Sequence, residues 1–197
     1  MKKLFYIAFA GLSLAACHNK PIADMPETVI DTMNRTGSVD SSGAASNSGA
    51  PTAPADSAFL NDAHRVGDFE IAAAKLAQSK SQDAKVKEFA DMIISDHSSM
   101  NKDVESVAAQ RNITLTAGPG DELQKKLDKL NSLNDKAFDK EYAAINIQGH
   151  RETIEKFEKT AKNQDNSPEV QSLASAALPK LKAHKEHADM LKSGMKM

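Results

Sequence analysis

The chain has 197 residues, of which 40% are hydrophobic, 26% are charged and 5% are aromatic, with a formal net charge of −2 and a single cysteine. This length is typical of one domain with tails. The near-neutral charge excludes the basic stripe that nucleic-acid binding needs. One cysteine excludes an internal disulfide framework and a cysteine-rich zinc site. Few aromatic residues and many Ala and Lys residues favour helices over sheets.

The first sixteen residues have the pattern of a signal peptide. Lys2 and Lys3 give a positive start, and an apolar run follows from Leu4 to Leu14. This run is shorter than the roughly 20 residues that a transmembrane helix needs, but it fits the apolar part of a secretory signal. We therefore expect residues 1–16 to be removed from the mature chain.

Residues Leu14-Ala15-Ala16-Cys17 resemble the lipobox of bacterial lipoproteins. The resemblance implies cleavage just before Cys17, lipid attachment to its thiol, and a chain anchored in the bacterial cell envelope. His18 follows in place of an Asp, which for this class favours the outer membrane, with the chain facing the periplasm. The alternative is an ordinary signal peptide that happens to contain a cysteine.

Residues 17–55 are predicted to form a disordered tether. Between Thr36 and Ala55, seventeen of twenty residues are Ser, Gly, Ala, Pro or Thr, and Asp40 carries the one charge. Such a segment cannot bury enough apolar surface to offset the entropy of ordering it. The tether would hold a domain that begins near Asp56 close to the membrane.

After Asp56, apolar residues recur at three- and four-residue spacings, which predicts long amphipathic helices. The predicted elements, in chain order, are a helix over residues 56–79, a helix over 82–111, a loop over 112–120, a short amphipathic piece over 121–133, a helix over 135–163 and a helix that runs to residue 193. Ser167 is a good N-cap for the last helix, with Pro168 at its first position. This pattern predicts an all-α four-helix bundle over residues 56–193, with a long connection between its second and third helices and a short tail over 194–197.

One polar residue interrupts the apolar stripe of each long helix. The stripes, traced through their apolar positions, contain Glu70, His97, His150 and His184 in chain order. A carboxylate or imidazole at a core position is costly unless it is paired or bound to a metal, and bundles build metal sites from facing helices. Three imidazoles and one carboxylate suit one transition-metal ion: Zn, Fe, Mn or Cu. The alternative is a buried polar network in which the histidines are hydrogen-bonded across the core without a metal.

The expected heights of these residues along the bundle axis favour some ligands over others. Counted from the turn between the first two helices at ~1.5 Å per residue, Glu70 and His97 lie roughly 10 Å apart, which is too far for one ion. The same count from the last turn places His150 and His184 only about 6 Å apart. His64 lies closer to the level of His97 and is therefore the alternative ligand from the first helix.

Asp96 is predicted to act outside the set of ligands. It precedes His97 in the sequence, and neighbouring residues on a helix point about 100° apart. Asp96 would therefore accept a hydrogen bond from a histidine of another helix, which is how metal-binding histidines are usually oriented. The alternative is a carboxylate that is exposed to solvent.

From Asp56 onward, the chain carries a series of landmarks: Asp56-Ser57-Ala58-Phe59-Leu60, Glu70, Lys87-Glu88-Phe89-Ala90, Met92-Ile93, Asp96-His97, Phe138-Asp139, Tyr142, His150, Leu178-Pro179, Leu181 and His184. Their order resembles the bacterial domain-of-unknown-function 4142 family of exported or outer-membrane proteins. The resemblance covers about 140 residues. It implies a ferritin-like four-helix bundle but no established activity. True di-iron ferritins have a Glu three residues before the His, whereas this chain has Ile94 and Ile147 at those positions, so ferroxidase chemistry is not implied.

The sequence therefore predicts a membrane-anchored periplasmic lipoprotein of unestablished function, with a metal-binding or polar cluster in its helical core. No catalytic residue is predicted, because the predicted bundle has no cysteine and no recognisable Ser/His/Asp arrangement. The predicted partner is the membrane, through lipidated Cys17, and not nucleic acid. The alternative function is a non-enzymatic interaction or stress-related module of the envelope, with structural histidines.

Overall fold

The computed structural model describes residues 53–195, and these residues form five helices. The helices are α1 (Pro54–Lys80), α2 (Ala84–Gln110), α3 (Gly120–Asn131), α4 (Asp135–Thr160) and α5 (Pro168–Gly194). The predicted all-α bundle with a long connection after its second helix is confirmed. Within residues 53–195, none of the helices is both long and apolar enough to cross a bilayer. The predicted signal peptide, Cys17 and nearly all of the predicted tether lie outside the described residues.

Local sequence signals set the ends of the long helices. Pro54 occupies the first turn of α1, so this helix begins slightly before its predicted start. The side chain of Asp83 caps α2 by accepting a hydrogen bond from Lys85 N at 2.8 Å. Ser167, the predicted cap of α5, accepts a hydrogen bond from a backbone N–H in the first turn. These caps satisfy N–H groups that have no partner within the helix.

The connections between the helices determine the topology. Residues 81–83 join α1 to α2, and residues 161–167 join α4 to α5. Connections this short make each pair an antiparallel hairpin. Residues 111–134 contain α3 and cross from one end of the bundle to the other, so that α2 and α4 run in the same direction and oppose α1 and α5. Helix α3 packs on α1 and α4.

Two apolar clusters fill the two ends of the bundle. Each cluster takes residues from all four long helices, and in each helix the polar residue singled out by the sequence falls between or next to the two sets. The first cluster includes Phe69, Ile93, Tyr142 and Ala188, and the second includes Leu60, Val104, Phe157 and Leu181. The polar residues therefore lie at mid-height, between two apolar layers.

The long connection is fixed to α1 next to this mid-height layer. The carboxylate of Asp68 accepts hydrogen bonds from Gly118 N and from Asn101 Nδ2, each at 3.0 Å. Asn101 lies so close to Gly67 that a Cβ at position 67 would come within 2.0 Å of its side-chain oxygen. A side chain at position 67 would therefore displace the Asn101 side chain from its place against α1, where it donates to Asp68.

Candidate metal centre

The four polar residues of the apolar stripes meet in the middle of the bundle. Glu70 comes from α1, His97 from α2, His150 from α4 and His184 from α5, and each residue is at most 4% exposed. One ring nitrogen from each histidine lies within 4.8 Å of the other two. The ring centroids of the three pairs are 5.2, 5.2 and 5.5 Å apart. The three imidazoles are therefore close enough to contact one ion together.

Two of the histidines are held by hydrogen bonds from their outer nitrogens. His150 Nδ1 lies 3.0 Å from the carbonyl oxygen of Asn146, one turn earlier on α4. His184 Nε2 lies 2.9 Å from Asp96 Oδ2, and the other oxygen of Asp96 accepts a hydrogen bond from Lys180 Nζ, also at 2.9 Å. Carbonyl and carboxylate oxygens only accept hydrogen bonds, so both outer nitrogens carry a proton. Asp96 thus contacts a histidine of another helix.

The inner nitrogens of the same two rings face each other. His150 Nε2 and His184 Nδ1 are 3.2 Å apart. Because each neutral imidazole carries its proton on the outer nitrogen, both inner nitrogens present a lone pair. Two lone pairs at this distance are stable only when a cation lies between them. Two nitrogens bound at about 2.0–2.1 Å to one tetrahedral ion are about 3.3 Å apart, so the observed spacing fits a shared metal ion.

Glu70 brings negative charge to the same cluster. Its Oε2 lies 2.8 Å from His97 Nε2, but the two groups are not aligned for a hydrogen bond, and neither atom has another partner among the described residues. Its Oε1 lies 3.4 Å from His150 Nδ1. These contacts are to imidazoles and not to a permanently charged Lys or Arg. The negative charge of Glu70 is therefore not neutralised by a permanent cation and can balance the charge of a bound ion.

The cluster has a defined charge at neutral pH. Burial raises the pKa of Glu70, but the nearby His150 and His97 outweigh burial and lower it to about 2. Burial lowers the pKa of His150, and burial lowers that of His184 to about 4 although the hydrogen bond to Asp96 opposes the change. At pH 7, Glu70 is therefore ionised while His150 and His184 are neutral, which is the protonation state that metal ligands need.

The predicted axial distance between Glu70 and His97 was wrong. Their side chains are in contact, at 2.8 Å, instead of being separated by roughly 10 Å along the axis. The turn residues 81–83 lie outside both helices and add no helical rise, so a count that includes them overestimates the axial separation. Counted from the true helix ends, the two residues differ by only three positions, or about 4.5 Å. The length of the Glu side chain covers that difference.

The structure places His64, the alternative ligand, in a different cluster. His64 Nε2 lies 3.2 Å from Glu105 Oε1, and His64 Nδ1 lies 3.6 Å from Asp68 Oδ2. Asp68 holds the long connection through Gly118. His64 therefore belongs to the contacts that fix this connection to α1 and α2.

Asn146 and Tyr142 extend the polar face of α4 and were not predicted as part of the site. Asn146 is buried, whereas the neighbouring Ile147 is only half-buried. The Tyr142 hydroxyl is buried with no hydrogen-bond partner among residues 53–195, and burial together with Glu70 raises its pKa. The sequence signal for this extension was an Asn one turn before His150. A stripe that is traced through apolar residues alone misses polar residues at core positions.

The comparisons with known proteins identify a family. The profile of the family described as "Domain of unknown function (DUF4142)" matches residues 41–191. No curated protein and no protein of solved structure matches the chain. The matched range contains all four residues of the central cluster.

Proposed function

The chain therefore belongs to the DUF4142 family, and we propose that it is a lipid-anchored envelope protein whose helical bundle binds one transition-metal ion through His97, His150 and His184. The carrying observation is the pair of inner nitrogens, His150 Nε2 and His184 Nδ1, which face each other at 3.2 Å while both outer nitrogens are hydrogen-bonded to acceptors. A proton could also join the two lone pairs, but burial lowers both histidine pKa values and disfavours it. A metal ion satisfies both nitrogens at neutral pH.

The donor set favours Zn, Fe, Mn or Cu. Imidazole nitrogens suit these ions, whereas Mg and Ca prefer sites made of oxygen atoms. Glu70 contributes one negative charge, which reduces the charge of a bound divalent ion in the buried site. Asp96 orients His184 and increases its basicity, as carboxylates do behind metal-bound histidines.

The bundle has a ferritin-like connectivity, with one long crossover between two helix pairs. Ferritin-like di-iron sites use a Glu three residues before each His, together with two further Glu residues. This chain has Ile94 and Ile147 at the corresponding positions and one Glu in the cluster. The proposed centre therefore holds a single ion in a ferritin-like bundle, and di-iron oxidation chemistry is not proposed.

Metal content and thermal stability test the proposed centre. We expect the full chain, purified without chelators or a histidine tag, to bind about one equivalent of one of the four ions. Binding a thousandfold above the Kd stabilises a folded protein by about 4 kcal/mol, so chelation with EDTA should lower the melting temperature by roughly 10 °C. Replacing Asp96 by Asn should weaken the binding about 10- to 100-fold, because it removes the carboxylate behind His184.

The matched control is His64→Leu, which removes a histidine outside the cluster and should leave metal affinity unchanged. Metal far below one equivalent after loading with each ion, with no change in melting temperature, would exclude the centre. In that case, a chain with His97, His150 and His184 all replaced by Leu should be more stable than the wild type, because apolar residues often outperform buried polar networks. That result would favour the alternative, an interaction module with structural histidines.

The proposed anchor rests on the sequence Leu14-Ala15-Ala16-Cys17. Metabolic labelling with radioactive palmitate in a bacterial host tests it. We expect the wild-type chain to incorporate the label and Cys17→Ser to incorporate none, while His18→Ala, the matched control, stays labelled. Label in the Cys17→Ser chain, or no label in the wild type, would contradict the anchor.

A further inference from the structure

Two openings lead from the surface towards the central cluster. A cavity of about 90 Å³ lies between α1, α2, α4 and α5 and has His97 in its wall. A larger groove of about 360 Å³ lies between α1, α3 and α4 and reaches Glu70. We call the second opening the α1–α3–α4 groove. It has four times the volume of the first, and it approaches the cluster from the side of the carboxylate.

Gly149 keeps this groove open above Glu70. It lies in the middle of α4, where glycine is about 1 kcal/mol less favourable than alanine. A Cβ at this position would meet one atom within 4 Å, Glu70 Oε1, at an ordinary contact distance of 3.6 Å. Close packing therefore explains Gly67, which faces Asn101, but it does not explain Gly149. Glycine at position 149 leaves free space beside the Glu70 carboxylate.

The residues that line the groove do not strongly favour either a cationic or an anionic ligand. Its inner part is apolar and includes Phe69, Leu123 and Ile145. At its rim, Lys129 is paired with Glu141 at 2.7 Å and Lys156 is paired with Asp62. Apart from Glu70 itself, three lysines balance three carboxylates: Lys126, Lys129 and Lys156 against Asp62, Glu141 and Glu152. The ion itself is then the main attraction for a molecule that enters.

From this arrangement we infer that the α1–α3–α4 groove admits a small exogenous ligand to an open coordination position of the metal, on the side of Glu70. This inference rests on the proposed function. Metal sites with three protein ligands keep a further position for water or substrate, whereas purely structural sites are closed. The ligand class is water and other oxygen or nitrogen donors of two to four atoms. Glu70 accepts a hydrogen bond from any such ligand that carries a proton.

Azide binding to the Co²⁺-loaded full chain tests the inference. Co²⁺ gives a visible absorption spectrum that changes when a ligand is added to its coordination shell. We expect azide to change the spectrum of the wild type, and we expect its apparent affinity to fall at least tenfold in Gly149→Leu, because the leucine side chain fills the space above Glu70. The matched control is Ala176→Leu, which fills the mouth of the smaller cavity and should bind azide as the wild type does.

Two further variants separate blockage from misfolding. Ala144→Leu narrows the groove at a second point of its α4 wall, five residues before Gly149, and should also weaken azide binding. Gly149→Ala should raise the melting temperature, since an alanine Cβ fits at 3.6 Å from Glu70. Absence of Co²⁺ binding in the wild type would overturn the proposed metal centre. Normal Co²⁺ binding with no azide response, or with equal azide affinity in Gly149→Leu and Ala144→Leu, would overturn the groove alone.

Discussion

Helix α1 carries two buried carboxylates with very different surroundings. Asp56, near the start of the helix, is fully buried, and its Oδ1 accepts hydrogen bonds from Ser167 N at 2.9 Å and Asn166 Nδ2 at 3.1 Å. Its Oδ2 lies 3.2 Å from the guanidinium of Arg111. This carboxylate ties the start of α1 to the end of α2 and to the loop before α5. Fixed donors satisfy Oδ1, and the permanent charge of Arg111 faces Oδ2, which accepts no aligned hydrogen bond from the described residues.

Glu70, farther along the same helix, is equally protected from water but differently partnered. Its contacts are the imidazoles of His97 and His150, and one of its oxygens lacks an aligned donor. Within residues 53–195, each carboxylate has one oxygen without an aligned hydrogen bond, so the difference lies in the charge that it faces. A buried carboxylate beside a permanent cation is a structural element, whereas one that faces only imidazoles marks a place where an ion can complete the network. Asp56 therefore contributes to stability, and Glu70 belongs to the proposed metal centre.

Removing Asp56 is expected to have the largest effect on stability. Asp56→Ala leaves Ser167 N, Asn166 Nδ2 and Arg111 without their carboxylate, and breaking a buried ion pair typically costs about 3–5 kcal/mol. Urea unfolding followed by circular dichroism measures this loss as a lower midpoint with an unchanged slope. The chain that remains folded should bind metal as tightly as the wild type, because Asp56 is not part of the cluster.

Asp62 provides the matched control for that experiment. It lies on the same helix, and its partly exposed carboxylate pairs with Lys156 on the surface. Such pairs contribute about 0–1 kcal/mol, so Asp62→Ala should barely move the midpoint. Two outcomes would contradict the different roles given to Asp56 and Glu70. One is an equal loss of stability in Asp56→Ala and Asp62→Ala, and the other is loss of metal binding in the folded Asp56→Ala chain.

The sequence was sufficient to predict the helices because their signals are local. Ser167 and Pro168 mark the start of α5, and they do so in the structure. The inward positions of His97, His150 and His184 also followed from helical periodicity alone. What periodicity cannot supply is the relative height of two helices, because this depends on where the turn begins and ends. The error in the distance from Glu70 to His97 arose there.

Other parts of the site depend on contacts between distant segments. The buried role of Asp56 requires Ser167 and Arg111, which are remote in sequence, so it was predicted only as the start of a helix. The groove above Glu70 exists because α3 packs on α1 and α4. Nothing in the short sequence of α3 shows which helices it covers. The role proposed for Gly149 depends on its contact with Glu70, and only the folded structure shows that contact.

Acid should destabilise the metal-free protein in two separate steps, which distinguishes the cluster from the Asp56 contacts. Burial lowers the pKa of His184 from 6.5 to about 4 and also lowers that of His150. A buried neutral histidine contributes stability that is complete above its unfolded pKa and is lost as the pH falls towards its folded pKa. For His184 this loss occurs between about pH 6.5 and 4 and amounts to about 3 kcal/mol.

The carboxylates act at lower pH. Burial raises the pKa of Asp56, but the hydrogen bonds from Ser167 and Asn166 and the charge of Arg111 outweigh burial and lower it below 3.8. Stability from this group is complete above its unfolded pKa and is lost only as the pH falls below about 4. Urea midpoints measured in EDTA from pH 7.5 to 3 resolve the two steps. In the chain with His150→Leu and His184→Leu, the urea midpoint should no longer fall with decreasing pH above pH 4. In Asp56→Ala, that decrease above pH 4 should remain. A slope above pH 4 that survives the double histidine substitution would show that other groups, and not the central cluster, sense this range of pH.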